Sequence, residues 1–260
     1  MNTKENTVLG KISQVTIGTS DVQASVAMYE KMGFRKINSN TMPNPWVQLT
    51  DDSILILLNQ DGMQYMGLTY FAADMDKRVK RLEEEGLTLV QKLEHEGRLT
   101  QAILMSPDQF FIALVNHDAS NMFQPTGKKF GDFWGDEGII TPIEYPNEVC
   151  GIFGELCHPV KDLQISLAFW KLLGFTADRV FEKPYPWAIV EDGKNIIGLH
   201  QTSDFDTPAL TYFALDMGER IKRVRENGVD SIKIFEGTGG DEKNVVVTTP
   251  EGQKFFLFSL

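Results

Sequence analysis

Cysteine is nearly absent: Cys150 and Cys157 are the only two in 260 residues. They supply neither a disulfide framework nor the paired spacing of a structural zinc site, and both read as reduced thiols. Long apolar runs are absent as well. No stretch reaches the ~18 residues that a membrane helix requires, and the segment MNTKENTVLGK lacks the apolar centre of a secretory signal. The expected compartment is the cytoplasm, with no membrane partner. Positive charge is short, with 25 Lys and Arg against 36 Asp and Glu. The net charge of −11 repels a phosphate backbone, which argues against a nucleic-acid partner and favours a neutral or cationic small molecule. What is present is ordinary for a folded chain, 42% hydrophobic and 23% charged, and the length suffices for one large core or two of usual size.

A duplication decides how that length is used. LTYFAADM at 68–75 returns as LTYFALDM at 210–217. Around each copy the same unit is legible: a short β-rich strand, an amphipathic helix, then three more short strands. Four such helices begin at Asp21, Asp74, Asp162 and Asp216 and stop at Gly33, Gly86, Gly174 and Gly228, with the same interval from Asp to Gly each time. Asp is a good N-cap and Gly accepts the left-handed conformation that ends a helix. The expected apolar stripes are Val22, Val26 and Tyr29; Met75, Val79 and Leu82; Leu163, Leu167 and Trp170; and Met217, Ile221 and Val224.

The sequence thus predicts an α+β fold of four βαβββ modules in two homologous halves, residues 10–118 and 151–260. The joining segment, 119–150, is rich in Gly, Pro and acidic residues but also holds Phe123, Phe130, Phe133, Trp134 and Tyr145. An ordered strap pinned by these aromatics is expected, with a lid over a pocket as the alternative.

Specific stretches go further. QVTIGTSDVQASVAMYEKMGF and ELCHPVKDLQISLAFWKLLGF resemble the opening strand and helix of the vicinal oxygen chelate superfamily, and SPDQFFIALV and TPEGQKFFLF resemble its closing turn and strand. That superfamily includes glyoxalase I, bleomycin-resistance proteins and extradiol dioxygenases. The resemblance implies two tandem glyoxalase-like domains whose curved, mixed sheets form cups that hold a ligand. Its metal-dependent members place His, Gln or Glu seven residues before the capping Asp, and a Glu near the end of the closing strand. Here those positions hold Gln14, Gly67, Glu155 and Ala209, then Ala113 and Phe256. Only Gln14 and Glu155 offer donors, in different halves, whereas a catalytic divalent site needs about three converging protein ligands. No metal ligand and no cofactor is therefore assigned, with a divalent metal site assembled from other groups as the alternative.

Individual residues complete the reading. Alternation along the strand that starts at Ile152 puts Glu155 and Cys157 on the face that should line a cup and His158 on the other. A buried Glu155 would have a raised pKa and could abstract a proton; a hydrogen-bonded anchor is the alternative. No histidine of matching parity accompanies Cys157, which argues against a thiolate nucleophile. His95 and His117 are expected in solvent, while His200 ends the strand 196–200 and can reach into the second cup. Trp46 and Trp187 follow equivalent P-x-P turns and present faces suited to flat or cationic ligands. Together with Gln14, Thr69, Cys157, His200, Thr211 and Phe213 they form the expected ligand-binding set, with Glu155 as the one catalytic candidate. The leading expectation is a metal-free protein, monomer or homodimer, that encloses a small aromatic or amphipathic molecule in the manner of bleomycin-resistance proteins. Two readings stand beside it: a superfamily isomerase, lyase or dioxygenase using Glu155 or other ligands, and a scaffold whose cups are filled by side chains such as Phe256.

Overall fold

The computed structural model describes residues 8–135 and 138–260. The first half runs β1 (Ile12–Gly18), α1 (Val22–Lys31), β2 (Arg35–Asn40), β3 (Trp46–Thr50), β4 (Leu55–Asn59), β5 (Met66–Ala72), α2 (Met75–Glu84), β6 (Gln91–His95), β7 (Arg98–Met105) and β8 (Phe111–Asn116). A 3-10 turn (Phe130–Phe133) and two short strands, β9 (Trp134–Gly135) and β10 (Gly138–Ile139), lie in the joining segment. The second half runs β11 (Ile152–Pro159), α3 (Leu163–Leu172), β12 (Thr176–Phe181), β13 (Trp187–Glu191), β14 (Ile196–His200), β15 (Ala209–Ala214), α4 (Met217–Glu226), β16 (Ile232–Ile234), β17 (Val245–Thr248) and β18 (Lys254–Ser259). Each half forms one curved, mixed, eight-stranded sheet. The orders β2-β3-β4-β1-β5-β8-β7-β6 and β12-β13-β14-β11-β15-β18-β17-β16 are the same, position for position. Hairpins are antiparallel, and the crossovers through α2 and α4 leave β5–β8 and β15–β18 parallel.

Helix stops follow the predicted chemistry. Gly33, Gly86, Gly174 and Gly228 have φ of 89°, 93°, 88° and 77°, a region in which a Cβ would be strained. The starts divide into two kinds. Asp21 accepts from the backbone N–H groups of Gln23 and Ala24, and Asp162 from those of Gln164 and Ile165. Asp74 and Asp216 make no such cap and instead accept from Arg78 Nε (2.9 Å) and Arg220 Nε (2.7 Å) one turn later. The guanidinium takes the carboxylate because it offers a charge-assisted bond within the same turn.

Two helix stripes are also rotated from expectation. The buried faces of α1 and α3 are Val22, Ser25, Tyr29 and Leu163, Ser166, Trp170; Val26 and Leu167 are only half-buried. Each serine is turned inward because it meets the carboxylate of a closing turn: Ser25 Oγ donates to Glu251 Oε2 (2.7 Å) and Ser166 Oγ to Asp108 Oδ2 (2.5 Å). An apolar residue there would leave a carboxylate oxygen short of a donor.

By packing, the chain gathers into two compact units, one made of residues up to Thr16 with 66–124 and 157–206, the other of 17–65, 125–156 and 207–260. In the first unit, Tyr70 Oη donates to Asp192 Oδ2 (2.6 Å) and Asn195 Nδ2 donates to Tyr70 Oη (2.7 Å). Phe110 packs against Trp170 and His158 there, with centroids 5.8 and 5.0 Å apart. In the second unit, Tyr212 Oη donates to Asp51 Oδ2 (2.6 Å), and Tyr29 Oη to Glu251 Oε1 (2.9 Å). Burial holds the Asp51 carboxyl above its ordinary range although Tyr212, Ile54, Ser53 and Asn147 all donate to it. The tyrosine of each LTYF copy thus bonds a turn aspartate of the opposite half.

The joining segment is tied down within the second unit. Asn147 Nδ2 donates to Met32 O (3.1 Å), Tyr145 receives the Arg220 guanidinium over its ring (3.9 Å), and Phe130 packs on Phe213 (5.0 Å). Both cysteines are free thiols, and among the described residues no helix is long and apolar enough to cross a membrane.

Candidate functional site

Strand register builds the site. Across the β12–β13–β14 hairpins, Phe181 pairs with Trp187 and Trp187 with His200. Residues directly opposite one another project to the same face, so the three rings stand in a row. Their planes are nearly parallel: 4.2 Å and 13° between Phe181 and Trp187, 5.5 Å and 5° between Trp187 and His200. Tyr185 and Phe205 close on His200 edge-on at 5.8 and 5.7 Å, and the Tyr185 hydroxyl lies 3.3 Å from His200 Nδ1. The Trp187 indole is fixed by donation from Nε1 to Lys183 O (3.0 Å). The intervening Ala188 and Val190 face the other way and are buried. The row therefore stands on the sheet face away from α3, with Trp187 half-buried.

Strand β11 lies beside β14 and carries Glu155 and Cys157 two residues apart. Glu155, Cys157 and His200 each offer a ligand atom, and the three atoms lie within 4.8 Å of one another. Their exposures are 8%, 3% and 9%, so water competes little for them. The expectation that no histidine accompanies Cys157 is corrected here: the partner comes from the neighbouring strand, not from His158. His158 points to the helix side as predicted, between Phe110 and Trp170, and neither of its ring nitrogens nor Trp170 Nε1 has a hydrogen-bond partner. Burial holds the His158 pKa down at about 4, against the opposing attraction of the Asp108 carboxylate. His95 and His117 are exposed, as expected.

The other predicted residues are dispersed. Gln14 is buried on β1, and Thr69 on β5 shares a 2.7 Å hydrogen bond with Thr16. Trp46 pairs with Asn40 and Asn59, so no aromatic row continues from it. Thr211 on β15 is buried and its hydroxyl has no partner, whereas Phe213 packs against Phe130 and Phe258. Sequence reasoning missed Phe181, Tyr185 and Phe205. Pairing the hairpin register across Trp187 would have found Phe181, but nothing local marks the other two.

Four of the six positions singled out in the sequence for metal donors, all but Gln14 and Glu155, offer none here. A Cβ on Gly67 would meet Phe111 O at 2.3 Å, Ala113 and Ala209 are buried without donors, and Phe256 is stacked on Phe258 at 5.4 Å and tilted against Phe235 at 5.2 Å.

No family model and no curated protein matches the chain. Solved structures do. A catechol 2,3-dioxygenase aligns over 97% of this chain and 92% of its own, with a TM-score of 0.56 at 15% identity. The homoprotocatechuate 2,3-dioxygenase of Brevibacterium fuscum, as its E323L mutant, aligns over 97% and 72% (TM-score 0.57, 10% identity). The 2,3-dioxygenase LapB of Pseudomonas sp. KL28 aligns over 96% and 91% (TM-score 0.54, 13% identity). At these identities the likeness is one of fold alone.

Proposed function

We propose that the protein binds a small aromatic or amphipathic molecule against the Phe181–Trp187–His200 row of its second sheet. The observation that carries this reading is the row itself. Three stacked, nearly parallel rings flanked by Tyr185 and Phe205 offer a continuous apolar surface, while Glu155 and Cys157 on the adjacent strand supply polar anchors. Such a combination of apolar wall and few polar groups is what small-molecule sites are made of. A planar ligand gains by stacking, and the net charge of −11 favours neutral or cationic compounds. The likeness of fold to dioxygenases that act on catechols makes phenols and catechols the first compounds to try.

The test is a thermal-shift and fluorescence-quenching screen of phenols, catechols and aryl ammonium compounds against the intact chain. A bound compound should raise the melting temperature and quench tryptophan emission. Trp187→Ala should weaken binding about tenfold or more, while Trp46→Ala, at the equivalent place in the first sheet, should leave it unchanged. Equal losses in both variants would sink the reading. An enzyme of the same fold acting on the same face is the second reading, supported by the Glu155, Cys157 and His200 cluster. It predicts turnover of a bound compound that Glu155→Gln abolishes without weakening its binding.

A further inference from the structure

From β1 to β4 and from β11 to β14 the two halves align in sequence without a gap, and three open-face positions differ in one direction. Where β1 and β4 carry Gln14, Thr16 and Asn59, β11 and β14 carry Glu155, Cys157 and His200. A neutral amide, a hydroxyl and a second amide are replaced by a carboxylate, a thiol and an imidazole. Each replacement substitutes a strong metal donor for a weak one. Glu155 and Cys157 sit on one continuous strand, so their relative placement is set by strand geometry, and His200 joins them from the adjacent strand.

We propose that Glu155, Cys157 and His200 form a divalent metal site of the zinc class. The metal sits aside from the superfamily's usual positions, because only Glu155 belongs to those. Ligand atoms around tetrahedral zinc lie about 3.5 Å apart. The 4.8 Å limit seen here is within reach of small side-chain rotations. A thiolate and an imidazole exclude Mg2+ and Ca2+, which take oxygen ligands. The Tyr185 hydroxyl, 3.3 Å from His200 Nδ1, is placed to hold the imidazole's orientation as outer-shell groups of metal-bound histidines do. Three protein donors leave a fourth position for water or an oxygen of a small molecule.

This inference goes beyond the aromatic-binding reading and does not depend on it, since its test uses no organic ligand. Co2+ should be titrated into the chelator-treated full chain and followed by absorption, then displaced with Zn2+. One equivalent with a thiolate-to-cobalt charge-transfer band is expected. Cys157→Thr should abolish the band, and His200→Asn should weaken affinity by at least about 100-fold, more than an outer-shell change costs. Tyr185→Phe should weaken it about tenfold. Glu155→Gln serves as a third, near-isosteric variant should either of the others fail to fold. Absence of the band at millimolar Co2+, or a band that survives Cys157→Thr, overturns the site.

Discussion

The first and second sheets share one strand order and one hairpin register, yet their open faces carry different chemistry. On β2, β3 and β4 the aligned row is Asn40, Trp46 and Asn59; on β12, β13 and β14 it is Phe181, Trp187 and His200. Beside it, Thr16 uses its hydroxyl on Thr69, whereas Cys157 faces Glu155 and His200. Duplication supplied two equal scaffolds, and only one of them concentrates rings and donors. The backbone and helix-side cores were kept alike because they hold the fold, while the open faces diverged because they do not.

Single exchanges between the halves break this contrast most directly. Cys157→Thr, which gives the second sheet the residue of the first, should remove metal affinity by more than about 100-fold in a Co2+ titration. Thr16→Cys, the reverse exchange, should create none and cost about 1 kcal/mol through the lost Thr16–Thr69 bond, read by urea unfolding. Metal binding gained by the reverse exchange alone would mean that the scaffolds, not the side chains, decide.

The next largest effects concern the crossed tyrosines. Tyr212→Phe leaves buried Asp51 without its shortest donor and should destabilise the chain by about 1–3 kcal/mol. Tyr70→Phe should do the same through Asp192. A near-zero cost for both would deny that these bonds join modules of opposite halves.

Asp51 also gives a pH signature. Its carboxyl is held above the ordinary 3.8 in the folded chain, chiefly by burial. The native state therefore binds the proton more tightly than the unfolded one. The associated stability is fullest below about pH 4 and is lost as pH rises through the folded pKa. Asp51→Asn does not titrate and its amide oxygen can still accept from Tyr212. Its melting temperature relative to the parent should climb between pH 4 and pH 7; a flat or falling difference contradicts the assignment.

Much of the fold was legible because its signals are local. A capping Asp, a left-handed Gly and an apolar stripe between them are read within one helix, and the LTYF copies fixed the duplication. What escaped was set by distant partners. Ser25 and Ser166 displace apolar residues from the stripe centres only because Glu251 and Asp108 lie opposite. Asp74 and Asp216 fail as caps because Arg78 and Arg220 reach them first. At the site, the parity of Glu155 and Cys157 was readable along one strand. That His200 can reach into the second cup was readable as well; its approach to Glu155 and Cys157 was not, because β14 and β11 are separated by α3 and two strands in sequence and nothing local specifies which strands become neighbours.

The asymmetry of the two open faces is tested most directly by zinc retention. The native chain and a variant carrying Glu155→Gln, Cys157→Thr and His200→Asn would each be dialysed against Zn2+, desalted and analysed for metal. The account predicts about one zinc per native chain and less than about a tenth of that in the variant, whose second sheet then matches the first. Equal retention by the two proteins, or none by either, would contradict it.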